Sequence, residues 1–212
     1  STGIEVGASG VNATIKTHSA GTSNLTLGVN AGNTIESGGN YNTLVGDEAG
    51  TALTTGDSNV AVGYAALDAN TTSSYNIAIG YNALTANTDG TYNTATGHQV
   101  MAANTTGTRN AATGSFALDA NTSGGYSVAM GHSALSANTT GSNHTAVGYN
   151  ALGANTTASN NSAFGYNALG VNTTGTSNNA FGIGSLDANT TASNNSAFGH
   201  YALSANTTGA NN

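Results

Sequence analysis

Short apolar segments of one design recur along most of this chain. In segments 59–62 and 76–79 an alanine lies between two larger apolar residues, and a glycine follows each segment. Residues two apart on a strand point to the same side, so each segment predicts a strand whose alanine faces away from its two neighbours. A second apolar pair follows, such as Leu84 and Ala86, and predicts a second strand in each unit.

These segments belong to one 17-residue unit, with the consensus Asn-x-Ala-Val/Phe-Gly-Tyr-Asn-Ala-Leu-x-Ala-Asn-Thr-Thr-Gly-x-x. A helical-hairpin repeat needs roughly 33 residues or more, whereas a 17-residue unit suits two short strands and two turns. Glycine permits the positive φ of a tight corner, and Asn-Thr-Thr-Gly suits the opposite turn. The predicted corner glycines are Gly46, Gly63, Gly80, Gly97, Gly114, Gly131, Gly148, Gly165, Gly182 and Gly199.

The sequence therefore predicts an all-β protein, a parallel β-solenoid (β-roll) of about ten 17-residue coils. Each coil adds about 4.8 Å along the axis, so the rod is on the order of 50 Å long. Residues 43–212 are the regular repeat solenoid. Residues 1–42 are interpreted as irregular leading coils, because an 18-residue step separates Gly28 from Gly46 and the copy around Glu5 is weak.

Each coil offers only about four apolar side chains, two of them usually alanine. At about 25 cal/mol per Å² this core barely offsets a backbone entropy cost of about 1–2 kcal/mol per residue. We therefore expect a parallel homotrimer in which the strand alanines allow close approach of chains; a lone two-sided β-roll is the alternative. The side chains expected to be buried within the assembly are Val62, Ile79, Phe164, Phe181, Phe198, Leu67, Leu84, Leu152, Leu169 and Leu203.

Composition excludes several classes of function. The chain has two basic residues, Lys16 and Arg109, and nine acidic ones, for a net charge of −7. Binding to nucleic acid or to an anionic membrane needs several basic contacts, so neither partner is expected. No apolar run approaches the length of a membrane-spanning helix, so we expect no membrane insertion. Cysteine is absent, which excludes disulfide and thiolate chemistry.

The strand segments carry a resemblance. Ser127-Val128-Ala129-Met130-Gly131 resembles the Ser-Val-Ala-Ile-Gly repeat of trimeric autotransporter adhesin heads, which are left-handed parallel β-rolls that associate as trimers. The longer unit, as in 148–157, is similar to tandem repeats of bacteriophage tail fibres and large bacterial surface proteins. The resemblance covers roughly residues 42–212 and implies a spacer between functional ends. The adhesin-head repeat is shorter than the 17-residue unit of this chain.

Equivalent residues of a solenoid stack in columns, and asparagine fills two of them. The first is predicted to be a hydrogen-bonded amide ladder: Asn70, Asn87, Asn104, Asn121, Asn138, Asn155, Asn172, Asn189 and Asn206. Eight of these nine turns also fit the acceptor pattern for N-linked sugar, which is the alternative interpretation. The second column is interrupted by Ser127 and His144 and contains Asn59, Asn76, Asn93, Asn110, Asn161, Asn178 and Asn195.

The residue after each corner glycine predicts an aromatic ladder, through Tyr64, Tyr81, His98, His132, Tyr149, Tyr166 and His200. The alternative role for His98, His132 or His200 is to bind a metal ion, with three copies of one histidine meeting at a threefold axis. Within one chain we expect no metal or other cofactor. Asp68, Asp119 and Asp187 share a column but never lie in adjacent coils, so no acid–base pair and no enzyme activity are expected.

The sequence thus predicts the structural shaft or stalk of an extracellular fibre, most specifically a phage tail fibre, at the virion surface or outside the cell. Its partners would be copies of itself, as a homotrimer or a head-to-tail filament, and a cell-surface glycan. The alternatives are a bacterial surface adhesin or matrix filament that binds glycans and, less favoured, an ice-binding solenoid. The uncapped sequence up to Asn212 suggests a fragment or a stacking subunit.

Overall fold

The computed structural model describes residues 5–8, 11–16 and 21–212, with side chains described from residue 21 onward. These residues form strands and turns, with no helix and hence no apolar helix long enough to cross a membrane. The strands make one sheet in chain order. They are β1(Glu5–Ala8), β2(Val11–Lys16), β3(Leu25–Leu27), β4(Thr43–Val45), β5(Val60–Val62), β6(Ile77–Ile79), β7(Thr94–Thr96), β8(Ala111–Thr113), β9(Val128–Met130), β10(Thr145–Val147), β11(Ser162–Phe164), β12(Asn179–Phe181) and β13(Ser196–Phe198).

From β3 to β13 every strand pairs in parallel with the next one. Val60 lies opposite Ile77, and the same 17-residue step holds from β4 onward. The predicted all-β fold, a parallel β-solenoid of about ten turns, is therefore confirmed. Only the 18-residue step from Leu25 to Thr43 is longer.

The chain enters the solenoid through antiparallel strands. β1 runs antiparallel to β2, and β2 runs antiparallel to β3. The segment around Glu5 is thus a strand of an antiparallel hairpin. Residues 1–4 at its start lie outside the described residues.

Each coil from β4 onward has one three-residue strand, so the predicted second strand is wrong. The Ala-Leu segment is a run of turns in which alternate residues have positive φ, such as Asn82 and Leu84, both at 52°. This backbone turns both Ala83 and Leu84 into the interior, where a regular strand would place them on opposite faces. Its amides still bond to the next coil: the Leu84 N–H donates to the carbonyl of Val100 at 3.0 Å.

The core is a stack of alanine and leucine. In the strands of the regular coils the middle residue faces inward, as Ala61 and Ala78 do, and it is fully buried. Leu67, Leu84, Leu152 and Leu169 are buried as predicted, whereas Leu203 is 39 % exposed. Alanine fits here because the coil is thin and leucine fills the opposite side.

The flanking residues of each strand point outward, contrary to the expected burial when the chain is taken alone. Ile79 is 40 % and Phe198 is 70 % exposed, while Val62, Phe164 and Phe181 are half-buried. The alanines consequently cannot be the place where two chains approach each other, because they lie inside their own coil.

Candidate functional site

The ten glycines predicted to form corners share one backbone conformation. All ten have φ between 123° and 139°, a region that L-residues rarely adopt. At Gly80 a Cβ atom would overlap the backbone carbonyl of Gly97 in the next coil. Glycine is therefore required twice, by the backbone conformation and by the close approach of neighbouring coils.

The first asparagine column is a continuous ladder of side-chain amides inside the solenoid. Asn104 Nδ2 donates to Asn87 Oδ1 at 2.9 Å and to the carbonyl of Gly107 at 3.2 Å. Asn121 and Asn138 repeat this pair of bonds one and two coils further on. Each amide thus closes the turn of its own coil and ties it to the coil before it. A buried amide without such partners would cost about 1–3 kcal/mol.

The second asparagine column joins side chain to backbone. The backbone N–H of Asn59 donates to Asn42 Oδ1 at 2.9 Å, while its Nδ2 donates to the carbonyl of Ser73 at 3.0 Å. Sequence reasoning began this column at Asn59 and missed Asn24 and Asn42, which continue it toward the N-terminus. The sequence does indicate these two members, because Asn42 lies the regular 17 residues before Asn59 and Asn24 lies 18 residues before Asn42.

The two interruptions of the second column keep its hydrogen bonds. The N–H of His144 donates to Ser127 Oγ at 3.2 Å, and the N–H of Asn161 donates to His144 Nδ1 at 3.3 Å. His144 Nε2 lies 3.3 Å from Asn155 Nδ2 of the first column. Burial lowers the pKa of His144, because its neighbours in the ladders are neutral amides and hydroxyls.

The asparagine side chains of the first column are largely inaccessible to solvent. Asn87, Asn104, Asn121, Asn138 and Asn155 are fully buried. The sequence pattern for N-linked sugar at these turns therefore falls on amides that are already hydrogen-bonded in the folded chain. The first threonine of the pair is engaged as well, since Thr105 Oγ1 donates to the carbonyl of Thr122 at 3.0 Å.

Aromatic rings stack along the corner that follows the glycines. Tyr64 and Tyr81 lie 5.4 Å apart, and Tyr81 and His98 lie 5.3 Å apart, with nearly parallel rings. Phe116, one position further along its coil, bridges His98 and His132 by edge contacts of 5.2 and 5.7 Å. The ladder continues from His132 through Tyr149 to Tyr166. His200 lies apart from it, against Tyr201.

A second aromatic column was missed from the sequence. Tyr75 stacks on Tyr92 at 4.9 Å, and the Arg109 guanidinium lies between Tyr92 and Tyr126, at 5.3 and 5.4 Å from the two rings. Arg109 also donates to the Tyr126 hydroxyl at 3.0 Å. Tyr75, Tyr92 and Arg109 each precede an asparagine of the second column, and Tyr126 precedes Ser127, which interrupts it. This 17-residue spacing was the signal in the sequence.

The acidic column consists of isolated half-buried carboxyls. Asp68 and Asp119 are three coils apart, and burial raises the pKa of each. Within the described residues, no three histidine, cysteine, aspartate or glutamate side chains are grouped to hold a metal ion. A metal shared between chains at His98, His132 or His200 stays a prediction.

The outward residues of the strands form what we call the strand face, two columns that carry no charge. Ile79 and Met130 are 40 % and 49 % exposed there. Phe164, Phe181 and Phe198 stack at 4.6 and 4.8 Å near the C-terminal end. The first column is Leu25, Thr43, Val60, Ile77, Thr94, Ala111, Val128, Thr145, Ser162, Asn179 and Ser196. The second column is Leu27, Val45, Val62, Ile79, Thr96, Thr113, Met130, Val147, Phe164, Phe181 and Phe198.

The chain matches no protein-family model, no curated protein and no solved structure.

Proposed function

We propose that this chain is the structural shaft of an extracellular fibre, most specifically of a bacteriophage tail fibre. The observation that carries the proposal is the unbroken parallel pairing from β3 to β13. Strand bonds and turn bonds tie each of these coils to the next, and from Asn70 onward the first asparagine column does so as well. Such a repeat has the same cross-section along its length, which suits a spacer that holds two functional ends apart.

The mechanism is mechanical stiffness. Bending the rod stretches the hydrogen bonds on its outer side, and these bonds lie on every side of the coil. The strand hydrogen bonds lie on one side of the coil, and the bond from the Leu84 N–H to the Val100 carbonyl lies on the opposite side. The Asn104 amide bonds lie in the interior between them. Bending toward either side therefore stretches hydrogen bonds between neighbouring coils.

The strand face supports the further proposal of a parallel homotrimer. It is free of charge and carries apolar side chains such as Ile79, Met130 and Phe198 that are between two-fifths and seven-tenths exposed. Large apolar side chains that are exposed on one uncharged surface are typical of interaction sites. A parallel, in-register association brings the phenylalanine stacks of the chains together and covers them.

The oligomeric state tests this proposal directly. Native mass spectrometry and sedimentation should give three chains for the wild type. Ile79→Asp places a charge on the strand face and should give single chains, whereas Thr140→Asp, at an exposed turn position, should leave the trimer intact. A wild-type protein that is a single chain at micromolar concentration contradicts the trimer. Curved or collapsed particles in electron micrographs, in place of straight rods, contradict the shaft.

A glycan-binding filament is the second candidate, favoured by the Tyr92–Arg109–Tyr126 stack. Tyrosine hydroxyls and guanidinium N–H groups along one edge provide donors for sugar hydroxyls. Glycan-array binding that is lost in Arg109→Ala and retained in Arg109→Lys would support this function over a purely structural one.

A further inference from the structure

From Asn70 onward the structure separates two sets of Asn-x-Ser/Thr triplets. Those of the first asparagine column have hydrogen-bonded amides that are buried, as at Asn104 and Asn138, except at the half-buried Asn206. A different set lies at the surface, in the turn that precedes a strand: Asn143-His144-Thr145, Asn160-Asn161-Ser162 and Asn194-Asn195-Ser196. The first asparagine of each of these three is exposed.

The three surface triplets share one backbone geometry. Asn143, Asn160 and Asn194 have φ of 61°, 63° and 61°, and each N–H donates to a carbonyl in the previous coil at 3.0 Å. The middle residue of each triplet is buried in the second asparagine column. The triplet therefore has its asparagine at the surface, its middle residue inside, and its hydroxyl residue back at the edge of the strand face.

This arrangement is what an asparagine-linked glycosyltransferase needs, namely an exposed amide with a hydroxyl two residues later. We propose that Asn143, Asn160 and Asn194 are acceptor sites for an N-linked sugar on the folded solenoid. In this reaction the Asn Nδ2 bonds to the anomeric carbon of a nucleotide- or lipid-diphosphate sugar. The bond from that carbon to the diphosphate breaks, and the transferase base takes one amide proton.

The sites would place sugar in a row along one edge of the C-terminal half. They continue the column that contains Tyr75, Tyr92, Arg109 and Tyr126. This column thus changes from stacked rings to exposed amides between residues 126 and 143. A row of sugars there would hydrate the part of this edge beyond Tyr126, where the column residues Asn143, Asn160, Ser177 and Asn194 carry no charge.

The test uses the folded protein, a soluble asparagine glucosyltransferase and UDP-glucose, with peptide mass spectrometry to map each hexose. We expect hexose on Asn143, Asn160 and Asn194, and none on Asn104 or Asn138. After unfolding and proteolysis, the peptides that contain Asn104 and Asn138 should be modified as well. Asn30 is an internal control, since it is exposed with φ of 59° but is followed by Ala31 and Gly32, and it should stay unmodified.

Two variants separate motif recognition from mere exposure. Asn160→Gln should lose one hexose and leave the other two sites unchanged. Thr145→Val keeps the shape of the side chain and should abolish modification of Asn143. The proposal is overturned if the folded protein carries no hexose at the three sites, or if Asn138 is modified in the folded protein as readily as Asn143. Because Thr145, Ser162 and Ser196 lie on the strand face, the mapping is repeated on Ile79→Asp, in which that face is uncovered. The chain count from native mass spectrometry is a separate readout, so failure of the trimer and failure of the acceptor sites can be told apart.

Discussion

At the scale of the residue, the main feature is the use of left-handed backbone by side chains that seldom adopt it. Leu84 and Leu152 have φ of 52° and 53°, and Ala65 has 50°. A left-handed conformation costs about 1–2 kcal/mol for a residue with a Cβ atom. Here the cost is offset because the turn puts adjacent Ala and Leu side chains into the core and lets the amides bond to the next coil. Sequence reasoning assigned a strand to this segment because leucine and alanine carry no signal for positive φ.

His144 gives a prediction about pH at the same scale. Its Nδ1 accepts from the Asn161 N–H at 3.3 Å, so the neutral ring carries its proton on Nε2, which donates to the Ala158 carbonyl and does not accept from Asn155 Nδ2. A second proton would go to Nδ1, where it would face that N–H and break the bond. The pKa of His144 is lowered from its ordinary value of about 6.5 because burial disfavours the charged ring.

The unfolded chain therefore binds a proton at a higher pH than the folded chain. The contribution of neutral His144 to stability is fully present above about pH 6.5 and is lost as the pH falls from there toward the folded pKa, by at most about 1.4 kcal/mol per pH unit. We expect His144→Asn, which restores the consensus residue, to flatten the fall in melting temperature between about pH 7 and pH 5. The exposed histidine His132 provides the matched control, His132→Asn, which should keep the wild-type slope. Equal slopes for wild type and His144→Asn would contradict the prediction.

At the scale of the element, one coil consists of a strand, a corner and a run of turns around a thin core. The period, the corner glycines and the strand positions could be predicted because they follow from spacing and from the conformational needs of glycine. Which face of the strand points into the core could not be predicted. Alternation shows that Val60 and Val62 share a side but not which side is inside. Because Leu67 fills the opposite side of the thin coil, only the small alanine fits on the inward face of the strand. The sequence does not show that these two residues share one core.

The hydrogen bonds of the asparagines were only partly readable for a similar reason. Their recurrence with the 17-residue period indicated a ladder, whereas the bond from Asn59 Nδ2 to the Ser73 carbonyl depends on how the turn folds back. The exposed triplets at Asn143 and Asn160 were overlooked because sequence alone does not separate them from the buried ones. Burial, and not the motif, distinguishes the two sets.

Leu152 tests the packing of one coil. It is fully buried against neighbouring alanines, so Leu152→Asp removes apolar contacts and buries a carboxyl among them. We expect unfolding free energy to fall by more than about 3 kcal/mol, followed as melting temperature by circular dichroism. Thr140→Asp, in the exposed part of the preceding turn, should change it by less than about 0.5 kcal/mol. An unchanged melting curve for Leu152→Asp would show that the interior face is assigned wrongly.

At the scale of the whole molecule, the rod is held by neutral groups. Most bonds between coils join backbone amides, asparagine amides and hydroxyls, as between Asn121 and Asn104, and the apolar core is mainly alanine and leucine. The charged exceptions include the bonds from Arg109 to Tyr126 and from the Asn40 N–H to Asp57. Charged residues make up 5 % of the sequence, and two of the carboxyls, Asp68 and Asp119, are three coils apart. Dissolved salt screens charges and leaves neutral hydrogen bonds largely unaffected, so the stability of the rod should not depend on ionic strength.

Between about 0.01 M and about 1 M sodium chloride the Debye length falls from about 30 Å to about 3 Å. Over this range the melting temperature of the protein should move by less than about 4 °C, the shift that about 1 kcal/mol produces in a chain of this size. Guanidinium chloride at the same ionic strengths is the positive control, because it solvates peptide groups and apolar surface and should lower the melting temperature progressively. A steep dependence on sodium chloride would mean that charged contacts, within the rod or between chains, hold the assembly together. The proposed neutral strand face would then be the wrong surface for association, since an interface through Ile79, Met130 and Phe181 has no charge for salt to screen.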